Sequence, residues 1–385
     1  MAPERVYVHI GPLKTGTTFL QQVLTKNKEA LAADGVLFPR NRYAQQVGSA
    51  LDLLDKRMHR DAPGNTGQWD RLAKEVAAWE GATAVISQEF LCTASPAQVE
   101  RMVSSLAPAQ VHVIYTARDY SRVVPAMWQT HLRNKASPTW DEYISSVRDP
   151  KPRGPIWGRR LWRQQDPAQV LPAFETRIPR ERVHVVMVPR STAPPDLLWQ
   201  RFCQVIGIEA ERYRTDIPRT NLSLGVVEAE TLRRINAGAA EAMNGRNYDH
   251  LVKFFLARDI LEQRRSRLTM ELPSEDYGWI GERSRQAIDY LVTGNYEILG
   301  AVDELLPGPP PDHPVARPDE VSPADVLDVM AECLTALLVR SDALIGVLKG
   351  PAMRKAEARV AQRGSDRRSR IRRQARGLGR QVLGR

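Results

Sequence analysis

Residues 6 to 21 read VYVHIGPLKTGTTFLQ. An apolar, β-branched run stops at Gly11, and a helix-forming run starts near Thr18. Gly11 and Gly16 have the spacing of a phosphate-binding loop, G-x-x-x-x-G-K-[ST], and Thr18 fills its Ser/Thr position. The lysine does not fit that pattern. Thr17 follows the second glycine, and Lys14 lies inside the loop. A turn between strand and helix is the setting in which such a loop works. Its backbone N–H groups and the helix N-terminus attract an anion, and the hydroxyls of Thr17 and Thr18 are close enough to add to them. A glycine-bearing turn without a ligand is the competing reading. Two glycines, a lysine and three threonines in one loop weigh against it.

Three further short apolar runs follow: ATAVISQE ending at Glu89, AQVHVIYTARD ending at Asp119, and ERVHVVMVP ending at Pro189. Helical patterns separate them. After the loop, Phe19, Leu20, Val23, Leu24 and Leu31 mark one helix face, with Gly35 as a stop. Near-continuous apolar strands alternating with helices imply an α/β fold, a parallel β-sheet flanked by helices. Ligands of such sheets gather at the strand C-terminal ends.

The chain has 385 residues and a net charge of +10. Residues 351–385 hold 12 Lys/Arg and 2 Asp/Glu, so residues 1–350 are neutral overall. Residues 307–318, PGPPPDHPVARP, contain six prolines and read as a stiff linker. Ser322 then caps an amphipathic helix with Pro323 at its first position and Asp325 three residues past the cap. Its apolar stripe is Val326, Met330, Leu334, Leu337, Leu344 and Leu348. These divisions predict a catalytic domain over 1–307, a linker over 308–321, a helix over 322–350 and a disordered arginine-rich tail over 351–385. Cys92, Cys203 and Cys333 are too few and too scattered for a disulfide framework or a zinc site. No apolar run approaches a membrane span, and no basic, apolar leader precedes the strand at Arg5. A cytoplasmic protein is expected.

The displaced lysine bears on which anion the loop holds. Nucleoside-triphosphate enzymes place the lysine after the second glycine and hold Mg²⁺ with a strand-end Asp. Here Thr17 takes the lysine position, and the strand-end acid is Glu89. A sulfuryl group carries less charge than a phosphoryl group and needs no magnesium clamp. A lysine beside the bridging oxygen suffices to steady the leaving phosphate. At these residues the sequence resembles the PAPS-dependent sulfotransferases, in particular a bacterial branch whose loop reads like HIGPxKTGTTxLQ. The resemblance covers roughly residues 5 to 307. It implies a P-loop-like sulfotransferase fold, PAPS (3′-phosphoadenosine 5′-phosphosulfate) as donor, and no required metal. On it, Gly11, Lys14, Thr15, Gly16, Thr17 and Thr18 hold the 5′-phosphosulfate, with Lys14 on the bridging oxygen. Glu89 is the catalytic base, and His9, which abuts the loop, ranks second.

The family's 3′-phosphate motif pairs a strand-end Arg with a Ser eight residues on. Arg118 matches the first, but Ala126 stands where the Ser belongs. Ser121 or Arg122 would have to compensate. The stretch PRTNLSLG resembles a family segment before a helix, and it offers Arg219, Asn221 and Ser223 to the same phosphate; a capping loop is the equal alternative.

The acceptor is expected to bear a hydroxyl on a glycan, a glycolipid or a small metabolite. Its pocket is expected around Trp69, Trp128 and Trp157. A P-loop kinase or NTPase is the first rival reading. A catalytically weak scaffold, binding nucleic acid or anionic membrane through residues 351–385, is the second. The tail also gives a cytoplasmic enzyme a route to peripheral membrane contact, and helix 322–350 a route to a homodimer.

Overall fold

The structure is a computed structural model that describes residues 2–40, 43–57, 64–217, 223–239, 241–264 and 268–345. Six strands form one sheet: β1 (Arg5–Gly11), β2 (Val36–Leu37), β3 (Thr83–Ser87), β4 (Gln110–Ala117), β5 (Val183–Met187) and β6 (Glu297–Leu299). The order is β2-β3-β1-β4-β5-β6, and every pairing is parallel. The α/β reading of the sequence therefore holds. The chain starts in the middle at β1, fills one side with β2 and β3, then crosses to β4. The direction of winding reverses between β1 and β4, which opens a crevice above their C-terminal ends. There the register slips between His9 and Gly11, as β1 peels away into the loop.

Burial explains why these runs became strands. Every residue of β1 after Arg5 is buried, as is all of β5. α1 (Thr17–Lys26) lays Leu20, Val23 and Leu24 against the sheet, where they meet Trp199, Phe202 and Tyr7. Each such side chain, fully buried, contributes roughly 1.5–3 kcal/mol. Histidines interrupt the apolar strands, and each is hydrogen-bonded. His112 Nδ1 lies 2.9 Å from His184 Nε2, and His184 in turn meets Glu297, so one polar chain crosses β4, β5 and β6.

The proline-rich stretch that follows Pro307 is bonded to the body. It lies along the body as a strap. Arg317 pairs with Asp141 at 2.6 Å and Glu275 at 3.2 Å. Asp319 accepts from the amides of Trp140 and Asp141, capping the helix Trp140–Arg148. The compact unit runs to Val326. Ser322 caps the next helix as expected, accepting from the Asp325 amide at 3.1 Å. The second unit starts at Leu327 and is helical through residue 345; Leu334 and Leu344 of the expected apolar stripe are more than half exposed there. Residues 346–350 of the expected helix and the tail 351–385 lie outside the described residues, as do Arg219 and Asn221. Among the described residues no helix is long and apolar enough to cross a membrane.

Candidate functional site

A cavity of about 1050 Å³ sits in the crevice above β1 and β4. That is at the upper end of ordinary ligand sites, roughly 300–1,000 Å³. One side is the loop: Lys14, Gly16, Thr17 and Thr18. The cavity's longest wall is α2 (Tyr120–Arg133), which presents Ser121, Arg122, Pro125, Ala126, Gln129, Thr130 and Arg133. These recur every three to four residues, so one face of the helix runs along the cavity for about 18 Å. Glu89 closes another side, and Pro309, Pro311 and His313 of the strap lie at its edge.

The loop is held from below. Thr15 is fully buried; its hydroxyl donates to the Pro12 carbonyl at 2.6 Å and accepts from Thr116 at 2.5 Å. Gln165 donates to the Leu13 carbonyl at 2.8 Å, and Arg118 to the Lys14 carbonyl at 2.7 Å. Three consecutive carbonyls are thus drawn into the protein. The amides of residues 14–18 find no backbone acceptor among the described residues. Gly16 is the N-cap of α1, which has no side-chain cap and no acid in its first turn. Inward carbonyls, unclaimed amides and a helix N-terminus together make an anion cradle. Lys14 keeps a left-handed φ of 67°, a conformation costly for a residue with a Cβ. Gly11, at φ 81°, has no room for a side chain: a Cβ there would lie 2.7 Å from Glu89 Cβ.

Lys14 is held down to about 8 by burial, and by repulsion from Arg133; Glu262 and Glu89 oppose the shift. It is still a cation at neutral pH. Glu89 is buried at the start of a short 3₁₀ segment, Glu89–Thr93. Gln21 of α1 donates to Glu89 Oε2 at 2.9 Å and to the Ser87 carbonyl at 3.1 Å, which fixes the carboxylate against the loop helix. Arg118 also faces the cavity. Its Nε is shut off from solvent and has no hydrogen-bond partner among the described residues. Burial and Arg122 lower it only to about 10, so it stays charged.

Other expected residues fare differently. Thr15 and Gly11 do not line the cavity; they shape the loop. His9 is fully enclosed, bonded to Ser87 at 2.8 Å, and pushed down to about 3 by burial, so the rival base has no route to a substrate. Ser121 lines the cavity, but its hydroxyl donates to Asp119 at 2.9 Å. Arg122 also lines it, and its Nη1 donates to the Pro189 carbonyl at 3.3 Å. Ser223 reaches the cavity. Trp69 and Trp128 are core residues, their indoles bonded to Ser105 and to the Pro138 carbonyl; Trp157 stands half-buried outside the cavity.

Sequence reading missed Arg133, Gln129, Tyr277 and the strap residues. Arg133 pairs with the nearly buried Glu262 at 2.9 Å. Glu262 follows a π-helix, Asp249–Ile260, a form often seen near functional sites and without a sequence signature. A helical wheel through Arg122, Ala126 and Gln129 points to Arg133; nothing local points to the strap. Among the described residues no group of three or more His, Cys, Asp or Glu is placed to hold a metal ion.

Comparison with known proteins yields little. No protein-family model matches the chain. No curated protein matches it either. Among solved structures it is similar to a sulfotransferase from Alicyclobacillus acidocaldarius, at 15% identity and a TM-score of 0.30, over 63% of this chain and 95% of that one.

Proposed function

We propose that the protein is a sulfotransferase that moves a sulfuryl group from PAPS to an acceptor hydroxyl. One observation carries the reading: an anion cradle with its lysine inside the loop shares a cavity with a buried, oriented carboxylate and a half-buried arginine whose Nε has no partner among the described residues. The residues present suit the donor. The loop amides with Lys14, Thr17 and Thr18 would hold its phosphosulfate, and Arg118 with Arg122 its 3′-phosphate. The donor would supply the sulfuryl group. Lys14 steadies the negative charge that develops on the leaving phosphate oxygen. Glu89, oriented by Gln21, takes the proton of the acceptor hydroxyl. The α2 wall and the strap align the two reactants, and alignment of this kind accounts for much of the rate in group transfer.

Lys14→Ala and Glu89→Gln separate these roles. Lys14→Ala is expected to lower kcat by about 10²–10³, as loss of one charge-stabilising group does, with a smaller loss of donor affinity. Glu89→Gln is expected to keep the affinity for adenosine 3′,5′-bisphosphate and to abolish transfer to an unactivated hydroxyl. Steady-state rates with calorimetry on both variants decide it. A Glu89→Gln enzyme with most of its activity would remove Glu89 as the base.

A further inference from the structure

We propose that the hydroxyl acceptor carries its own negative charge, and that Lys56, Arg160 and Arg163 recognise it beside the Glu89 end of the cavity. The inference rests on the sulfuryl-transfer reading and names its acceptor class. The acceptor hydroxyl must approach Glu89, and the segment Glu89–Thr93 leads away from it; Lys56, Arg160 and Arg163 stand outside the cavity lining, where the rest of an extended acceptor would reach them. At the far end of that segment Lys56 donates to Thr93 Oγ1 at 2.8 Å, and Thr93 in turn donates to the Phe90 carbonyl. Four rises of 3₁₀ helix separate Glu89 from Thr93, about 8 Å.

α3 (Ile156–Gln165) packs against the same segment and ends with Gln165 bonded to the loop. It brings Arg160 and Arg163. Arg160 lies over the Trp157 ring at 5.9 Å, and Trp157 meets His131 at 5.0 Å, two residues before the cavity-lining Arg133. Arg160 therefore stands between the Glu89 segment and the C-terminal end of α2. The electrostatics agree: partial desolvation lowers the pKa of Lys56, Cys92 opposes the shift, and repulsion from Arg163 and Arg160 adds to it.

All three cations are exposed, and none has an acidic partner among the described residues. Residues 148–163 hold six Lys/Arg against the single acid Asp149, in a body of 350 residues that is neutral overall. Unpaired like charges crowded together raise the free energy of the folded chain, and a scattered arrangement would avoid that. Beside the base they give an anionic acceptor a gain that a neutral one lacks, mostly in rate of encounter and in affinity at low salt. The chemistry they recognise is a carboxylate or phosphate within roughly 10 Å of the reacting oxygen, the reach set by the 3₁₀ segment. The half-buried Trp157 ring lies beside the same cluster.

The test uses the full chain saturated with adenosine 3′,5′-bisphosphate. Calorimetry would compare tetragalacturonate, a neutral tetrasaccharide of the same length and a sugar phosphate, each at low and high salt. The expected result is binding of at least one anionic probe about tenfold or more above the neutral one, weakened by salt. The double variant Arg160→Ala/Arg163→Ala should lose that preference. Whichever anion binds identifies the source of the charge. Equal binding of charged and neutral probes, or an unchanged preference in the double variant, overturns the proposal. Retained affinity of the variant for adenosine 3′,5′-bisphosphate reports an intact fold. If the bisphosphate fails to bind while tetragalacturonate binds, the donor reading fails and the basic surface stands.

Discussion

Lys14 shows why a single displaced residue is informative. In the usual phosphate loop the lysine rises from the first turn of the helix. Here it stands in the loop with a left-handed backbone, and its carbonyl is pinned by Arg118. Both the position and the glycines around it were legible in the sequence, because a loop's geometry is written locally in its glycines. The role of Arg118 was legible only in part: it stabilises the loop and also faces the cavity. The partners of His9 and Ser121, Ser87 and Asp119, were not legible, because they are decided by packing and by a cap. The shifted Lys14 also gives a pH test. It acts as a cation, so activity is lost as pH rises through its pKa. The kcat/KM profile, which reports the free enzyme, should show a basic limb near pH 8. In Lys14→Arg that limb should vanish from the accessible range, since a guanidinium holds its proton. A limb that persists in Lys14→Arg belongs to another group.

At the scale of elements, strands were the most legible feature and the strap the least. β1, β4 and β5 are apolar on both faces, and such runs have few other places to go in a chain of this size. The stretch 307–318 offers no apolar pattern, so it read as a spacer. What fixes it are charges and one cap, Arg317 to Asp141 and Asp319 to the helix Trp140–Arg148, contacts between residues about 180 apart in sequence. No local pattern encodes such contacts. The cap makes a prediction. Asp319→Ala removes both amide bonds at that helix start, worth about 0.5–2 kcal/mol. With its anchor gone, the strap should release the cavity edge at Pro309 and Pro311. Stopped-flow measurement should find adenosine 3′,5′-bisphosphate leaving several-fold faster, with single-turnover chemistry less affected. An unchanged release rate would mean that the strap does not hold the ligand.

For the whole molecule, charge and topology point to the same end of the sheet. The body of residues 1–350 is neutral, yet the cavity lining carries Lys14, Arg118, Arg122 and Arg133 against Glu89 and Glu271. The winding of the sheet reverses above β1 and β4, and that reversal opens the crevice where these residues collect. The sheet's class followed from the order of runs along the chain. The company each charge keeps did not, because α2, the π-helix and the strap meet there only after folding. The central claim is that this positive cavity is built for a nucleotide bearing a 3′-phosphate. Calorimetry of the full chain with adenosine 3′,5′-bisphosphate and with adenosine 5′-monophosphate, each with and without Mg²⁺, tests it most directly. The account predicts binding of the bisphosphate at least about tenfold tighter than the monophosphate, the equivalent of roughly 1.4 kcal/mol, and no dependence on Mg²⁺. Equal affinity for the two nucleotides, or binding that appears only with Mg²⁺, would contradict it.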